Sequence, residues 1–184
     1  RLIEVQGVRE TSDEKLGVLL SWTSDRLCEN PNIKLLIWCR FRPELARLVR
    51  NLALKFPHVQ LGQLHGGQKK DERYASLRLL HPASTPRGPV IVCGTHATGS
   101  LGLNLAAAHT VVYLSNDFSL KTRMQSEDRV HRPGQIHHVS YFDVIACGPN
   151  GQKTVDHQVV KALKAKENMA TWTCAAWRQA LLEE

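Results

Sequence analysis

The sequence predicts an α/β fold in which a mainly parallel β-sheet is flanked by helices on both faces. Short apolar segments alternate along the chain with longer segments in which apolar residues recur at helical spacing. Strands that are apolar throughout are typical of parallel sheets buried on both faces. Their alternation with amphipathic helices indicates successive strand–helix–strand units. The 184 residues suffice for one domain with a sizeable core.

Five segments have the features of buried strands, because each is short, apolar and bounded by turn-forming residues. In chain order they are 34–41, 59–67, 88–95, 109–115 and 139–148. We expect the carboxyl ends of these strands to share one edge of the sheet, where parallel sheets bind their ligands.

Helical periodicity predicts helices on either side of these strands. They cover 12–29, 42–56, 68–81, the segment before Pro133, 154–169 and 171–184. Ser12 or Asp13 is the expected N-cap of the first helix, and Pro43 suits the first turn of the second. Pro133 should end the fourth helix, because the residue before a proline is displaced from the α region. Gln125, Arg129 and Arg132 would then share one stripe of that helix.

Composition excludes several classes of protein. Hydrophobic residues make up 42% and charged residues 22%, as in an ordinary globular domain. No apolar run could span a bilayer and no signal peptide is recognisable, so we expect no membrane partner. The five cysteines are odd in number and form no CxxC pair, which favours a reducing compartment over a disulfide framework. Since the first residue is Arg, we expect the chain to be a piece of a longer protein.

The charge is strongly basic, at +7 with a pI of about 9.4. Residues 1–30 hold four basic and six acidic side chains, so the excess lies in the rest of the chain. Such an excess suits a polyanionic partner, either nucleic acid or the phosphates of a nucleotide.

Simple catalytic motifs are missing from the sequence. The segment GTHATGS (94–100) has glycines at P-loop spacing but no lysine, so it cannot bind the phosphates of a nucleotide by itself. No strand leads into an Asp-Glu pair for magnesium, and no GxSxG elbow is present. His131, His137 and His138 lack metal-ligand spacing, so we expect no metal site.

Six segments nevertheless follow the order of one family's motifs: KLLIWCRF (34–41), QLHGGQKKDER (63–73), THATGSLGLNL (95–105), HTVVYLSNDFSL (109–120), QSEDRVHRPGQ (125–135) and TVDHQVVKALKAKENM (154–169). They resemble the C-terminal RecA-like lobe of superfamily II helicases. The third is similar to motif V and the fifth to motif VI. More narrowly, the chain resembles the Swi/Snf group of DNA-dependent ATPases, most of all its bacterial and phage members.

This resemblance covers roughly residues 11–169 and implies three regions. Residues 1–30 would form an N-terminal linker and helix, 31–150 the RecA-like lobe, and 151–184 C-terminal helices that pack on or brace it. The chain departs from the family at Phe118-Ser119-Leu120, where Trp-Asn-Pro is common, and at Gly99-Ser100, where a double glycine is common. Motifs I and II of a first lobe are not in this sequence, so the resemblance implies half of a two-lobe motor.

The resemblance also implies roles for individual residues. ATP and Mg²⁺ would be held mainly by the first lobe, which this chain lacks. Arg132 would be the main arginine finger on the γ-phosphate, with Arg129 supporting it and Gln125 facing the same cleft. Gly102 and Asn104 would lie near the nucleotide. The DNA backbone would contact residues in the loops that follow the first three strands: Arg40, Arg42, His65, Gly66, Lys69, Thr98 and Ser100.

The implied function is the second motor lobe of an ATP-dependent translocase or remodeller of double-stranded DNA. It would be an ATP hydrolase only with the N-terminal RecA-like lobe of the same parent protein, and the isolated chain would be inactive. The setting would be the cytoplasm of a bacterial or phage-infected cell, or the nucleus if the source is eukaryotic. One alternative is a non-catalytic module that binds nucleic acid or protein. Another is an RNA helicase lobe, which GLNL (102–105) and RPGQ (132–135) disfavour.

Individual sites also have simpler explanations. The arginines of QSEDRVHRPGQ could belong to a solvated helix face on which they pair with Glu127 and Asp128. The motif V segment could be a structural turn capped by Ser100.

Overall fold

The computed structural model of the chain describes residues 14–84, 86–100, 103–116 and 118–166. At its centre lies a five-stranded sheet in the order β2-β3-β1-β4-β5, in which every neighbouring pair is parallel. The strands are β1 (Lys34–Cys39), β2 (Gln60–Leu64), β3 (Val90–Thr95), β4 (Thr110–Tyr113) and β5 (Ser140–Asp143).

Helices connect these strands and cover both faces of the sheet, as the sequence predicts. They are α1 (Glu14–Glu29), α2 (Arg42–Lys55), α3 (Lys70–Leu79), α4 (Leu120–Glu127) and α5 (155–166), with a 3₁₀ helix at His96–Ser100. The predicted α/β class, with a RecA-like parallel sheet, is therefore confirmed. The predicted N-cap at Ser12 or Asp13 and the helix at 171–184 lie outside the described residues.

Strand β1 shows why an unbroken apolar sequence forms the middle of this sheet. Its side chains alternate between faces, and all but Lys34 are fully buried. Ile37 and its alternate neighbours pack in a cluster with α1 and α2, while Leu36 and Trp38 pack in a second cluster beneath α3. Burial on both faces leaves no position for a polar side chain, so the segment reads as continuously apolar.

Cys39 and Cys93 lie in these buried strands and have no exposed surface. Burial raises the pKa of both thiols, so they stay protonated and unreactive. Both cysteines are therefore structural residues of the core.

The fourth predicted helix is wrong at its carboxyl end. Helix α4 ends at Glu127, well before Pro133. The carbonyl of Arg129 accepts a hydrogen bond from the amide of Leu105, at 2.9 Å, instead of one from its own helix. Val130 is fully buried in the core cluster beneath α3. These two contacts turn the chain out of the helix, so Gln125, Arg129 and Arg132 do not share a helical stripe.

Two strands end earlier than the sequence predicts. The fifth strand, predicted to reach residue 148, ends at Asp143, and the first ends at Cys39. Among the described residues, no helix is both long enough and apolar enough to cross a membrane.

Candidate functional site at the carboxyl edge of the sheet

The connections that follow the strands collect at one edge of the sheet. Because all the strands are parallel and in register, with Trp38 and Leu64 both opposite Gly94, the segments after β1, β2 and β3 emerge side by side. The connection from β3 to β4 passes from one side of β1 to the other. Such a reversal opens a crevice at the carboxyl ends of the strands. The motif V segment is this connection, and the fold therefore places it at the expected ligand edge.

Arg42, His65 and Gly67 meet at this edge. A Cβ atom added to Gly67 would lie 2.6 Å from Nη2 of Arg42, so the guanidinium rests against the glycine backbone. Burial, and then the charge of Arg42, lower the pKa of His65. The histidine is therefore mostly neutral near pH 7, and its Nδ1 accepts a hydrogen bond from the Gly67 amide at 3.2 Å. The two loops that sequence analysis assigned to the DNA track thus contact each other.

Arg40 is anchored through its backbone. Its amide donates to Oγ of Ser115 at 2.8 Å, and that hydroxyl donates to Oε2 of Glu44 at 2.6 Å. The side chain of Arg40 is exposed and its guanidinium lies 5.0 Å from the ring centre of Phe41. The structure thus fixes the loop after β1 against the loop after β4 and leaves the cation at the surface.

Thr98 occupies the interior of the motif V segment. Its side chain is 2% exposed, and its hydroxyl lies 2.8 Å from Oγ1 of Thr95 and donates to the carbonyl of Leu64 at 3.2 Å. This hydroxyl ties the 3₁₀ helix to the ends of β2 and β3. Any contact of Thr98 with DNA would therefore have to use the backbone of the segment.

Asn104 follows this helix and is half-buried. Its side-chain oxygen accepts a hydrogen bond from the Ala106 amide at 3.2 Å, which forms a local turn. Gly102 and the side chain of Ser100 lie outside the described residues. Their predicted roles stay predictions.

Motif VI lies against motif V. Helix α4 packs on the 3₁₀ helix His96–Ser100, and the hydrogen bond from Leu105 to Arg129 joins the two segments. Gln125, Arg129 and Arg132 are all half-buried. Nε of Arg132 donates to the carbonyl of Asp128 at 2.9 Å, and within the described residues no carboxylate lies in ion-pair range of its guanidinium. Pairing of Arg132 with Glu127 or Asp128 is therefore absent.

Arg123 is the residue that sequence reasoning missed. Its guanidinium donates to Oδ1 of Asp143 at 2.6 Å, pairs with Glu127, and lies 3.4 Å from the ring centre of Tyr113. Its side chain is only 14% exposed. The spacing of Arg123 and Glu127 is that of a helical ion pair, so the contact between these two residues could be predicted from sequence. The contacts with β4 and β5 depend on tertiary structure.

The edge offers cations and backbone groups to a phosphate ligand, but the described residues include no magnesium site. No group of three His, Cys, Asp or Glu side chains is placed to hold a metal ion in the described ranges. A RecA-like parallel sheet, with motif V starting at its carboxyl edge and motif VI packed against motif V, is typical of helicase C-terminal lobes.

The comparisons agree with that class. The family of helicase conserved C-terminal domains matches residues 14–134, and the chain belongs to this family. Human TATA-binding protein-associated factor 172 is 30% identical over 139 residues, which are 74% of this chain and 7% of that protein. An Arabidopsis thaliana protein is 27% identical over 87% of this chain and 17% of its own length; its name is putative SWI/SNF-related matrix-associated actin-dependent regulator of chromatin subfamily A member 3-like 1.

A solved structure supports the fold. The crystal structure of the C-terminal part of the Fun30 ATPase domain superposes with a TM-score of 0.66 and is 19% identical, over 84% of this chain and 48% of that one. The chain spans only 7% and 17% of the lengths of the two curated relatives named above. The Swi/Snf-like resemblance is confirmed, whereas these relatives give no support to a bacterial or phage type.

Proposed function

We propose that this chain is the second motor lobe of an ATP-driven translocase or remodeller of double-stranded DNA. The observation that carries the proposal is the junction between motif V and motif VI, where the Leu105 amide bonds to the Arg129 carbonyl. This junction couples the segment proposed to approach the phosphates to the segment that carries the arginines. A change at the bound DNA would thereby reach the bound nucleotide, and the reverse.

In this proposal Arg132 is the finger that stabilises charge on the γ-phosphate during transfer. A guanidinium is always charged and offers a planar pair of donors to phosphoryl oxygens. Arg132 is half-buried, and among the described residues its guanidinium makes one hydrogen bond, from Nε to the Asp128 carbonyl, so most of its donors remain available. Arg129 would support it, and Gln125 would line the same cleft. ATP and Mg²⁺ would be held mainly by the first lobe, with Gly102 and Asn104 approaching from this one.

The DNA track would run over the exposed loops at the carboxyl edge. Arg40, Arg42, His65, Gly66 and Lys69 would meet phosphates, together with the backbone at Thr98 and Ser100. Phosphate contacts position a protein without reading sequence, so binding would be independent of base sequence. The parent protein would act in the nucleus, since the relatives named above are eukaryotic.

The test compares ATP hydrolysis by the chain alone and by the parent two-lobe protein, with duplex DNA or duplex RNA added. We expect the chain alone to show background hydrolysis and the two-lobe protein to be stimulated by DNA more than by RNA. Stronger stimulation by RNA would favour an RNA helicase lobe. No hydrolysis with the first lobe present, despite DNA binding, would favour a non-catalytic binding module.

A further inference from the structure

A groove of about 510 Å³ runs along α3. It lies between α3 and residues 103–104 of the motif V segment, so Asn104 is part of its lining. Its floor is apolar and includes Leu77 and Leu103, and its walls carry four basic or imidazole side chains with no carboxylate: Lys70, Arg73, Arg78 and His81. The volume is that of pockets that take small planar ligands, so a duplex could not enter it.

In the part of the chain that the structure describes, the cations of this groove have no acidic partner. Among the described residues, no ion pair or hydrogen bond involves the side chains of Lys70, Arg73 or Arg78. Asp71 and Glu72 belong to the same helix but do not line the groove. Unpaired cations along a helix of ten residues form a track about 15 Å long. Such a track suits an extended polyanion.

An aromatic ring stands in the middle of this track. Tyr74 lines the groove and is 57% exposed, so its ring is open to a stacking partner. A positively charged groove with an exposed aromatic ring is the arrangement that binds single-stranded nucleic acid, because bases stack on the ring while cations meet the phosphates. An acidic peptide would use the cations but has no need of a planar stacking surface.

We propose that the α3 groove binds a single strand of nucleic acid, with one base stacked on Tyr74 and its flanking phosphates on Arg73 and Arg78. Lys70 follows Lys69 directly, so the groove continues the cationic edge of the sheet down the face of the lobe. The groove shares Asn104 with the proposed function, which places that residue near the nucleotide, but binding of the strand requires neither ATP nor the first lobe. It offers a place for a strand that has left the duplex.

The test measures the anisotropy of fluorescein-labelled dT12 with the full chain, without ATP. Tyr74→Ala should weaken binding by about 5- to 150-fold, the range for loss of one base–aromatic stack. Tyr74→Phe keeps the ring and should change the affinity by less than about twofold. Arg78→Ala should reduce the slope of log affinity against log salt by about 0.7. Arg50→Ala, on α2 at the opposite face, is the matched control and should have little effect.

Three further outcomes would each overturn the proposal. The first is equal loss with Tyr74→Ala and Arg50→Ala, which would mean diffuse binding by net charge. The second is displacement of dT12 by equimolar ATP, which would assign the groove to the nucleotide cleft. The third is tighter binding of an alternating Glu/Leu 12-mer peptide than of dT12, lost in Arg78→Ala, which would make the groove a peptide site. Failure here leaves the motor proposal standing, since that is tested by DNA-stimulated hydrolysis.

Discussion

Two glycines at the ligand edge respond differently to one added carbon atom. A Cβ on Gly94 would lie 2.7 Å from Cζ3 of Trp38, whose ring is fully buried, and 3.3 Å from Cβ of Leu64. A Cβ on Gly67 would meet only the flexible end of Arg42. The first glycine is required by core packing, and the second lets the guanidinium lie flat against the backbone.

We therefore expect Gly94→Ala to lower the free energy of unfolding by about 1–3 kcal/mol, the usual cost of overpacking. Gly67→Ala should change it by less than about 0.5 kcal/mol, because the Arg42 side chain can move into solvent. Urea denaturation of both variants measures the difference. Similar losses in the two variants would contradict this account of the edge.

His109 makes stability depend on pH. Its Nε2 accepts a hydrogen bond from the Lys34 amide at 3.2 Å, and this bond requires the nitrogen to be unprotonated. Burial, and then the charges of His137 and Lys34, lower the pKa of His109 in the folded state. The unfolded chain therefore binds this proton more readily than the folded chain. The contribution of His109 is complete above its unfolded pKa of about 6.5 and is lost as the pH falls through the folded pKa.

The free energy of unfolding should thus be lower at pH 5.5 than at pH 7.5. His109→Gln supplies an acceptor that does not titrate, so the variant should show a smaller decrease. Part of the decrease should persist, because the pKa of His65 is lowered as well. Urea denaturation across this pH range is the measurement. An identical pH dependence in the wild type and the variant would rule out His109 as the cause.

Single side chains at the site were only partly predictable. Arg40, Arg42, His65 and Lys69 could be placed near the ligand edge from sequence, because each follows an apolar strand. That Arg42 rests on Gly67 depends on a rotamer and on the distance between two loops, which no local pattern encodes. The interior position of the Thr98 hydroxyl likewise depends on a contact with a residue distant in sequence, the carbonyl of Leu64.

At the scale of elements, the strands were predictable and the end of α4 was not. Burial on both faces forces an almost unbroken apolar sequence in β1, β3 and β4, so these central strands are recognisable in the sequence. The end of α4 is set by contacts with residues distant in sequence, namely the Leu105 amide and the core around Val130. Helical periodicity in 125–132 continues past that end and therefore misleads.

Arg123 fastens α4 to the edge of the sheet. It bonds to Asp143 on β5 and to Asn116 after β4, while its guanidinium covers Tyr113. The carboxylate of Asp143 is 21% exposed, so water would compensate its charge only in part if Arg123 were lost. This pair holds the segment that carries motif VI in place.

Arg123→Ala should lower the free energy of unfolding by about 2 kcal/mol, between the values for surface and buried ion pairs. Arg50→Ala, at an exposed position on α2, serves as the control and should change it by less than about 0.5 kcal/mol. Thermal or urea denaturation gives both values. Equal stability of the two variants would show that the Arg123 contacts do not anchor α4.

At the scale of the whole molecule, the net charge and the position of the exposed cations agree with the proposed DNA partner. The net charge is +7, and cations gather on the loops after β1 and β2. Since such contacts release counterions, affinity for duplex DNA should fall linearly on a logarithmic scale as salt rises, with little dependence on base sequence. Titrations of two unrelated duplexes at several salt concentrations would measure this. A flat salt response, or strong preference for one duplex, would contradict the proposed track.

In the proposed function, the catalytic centre is shared between two lobes and Arg132 is its arginine finger. The most direct measurement is single-turnover ATP hydrolysis by the parent two-lobe protein with DNA present, comparing Arg132→Ala with Arg50→Ala. We predict that Arg132→Ala slows hydrolysis by roughly 10³- to 10⁵-fold while ATP binding persists, and that the control is unaffected. Hydrolysis within about threefold of wild type in Arg132→Ala would show that the phosphate is stabilised by other groups.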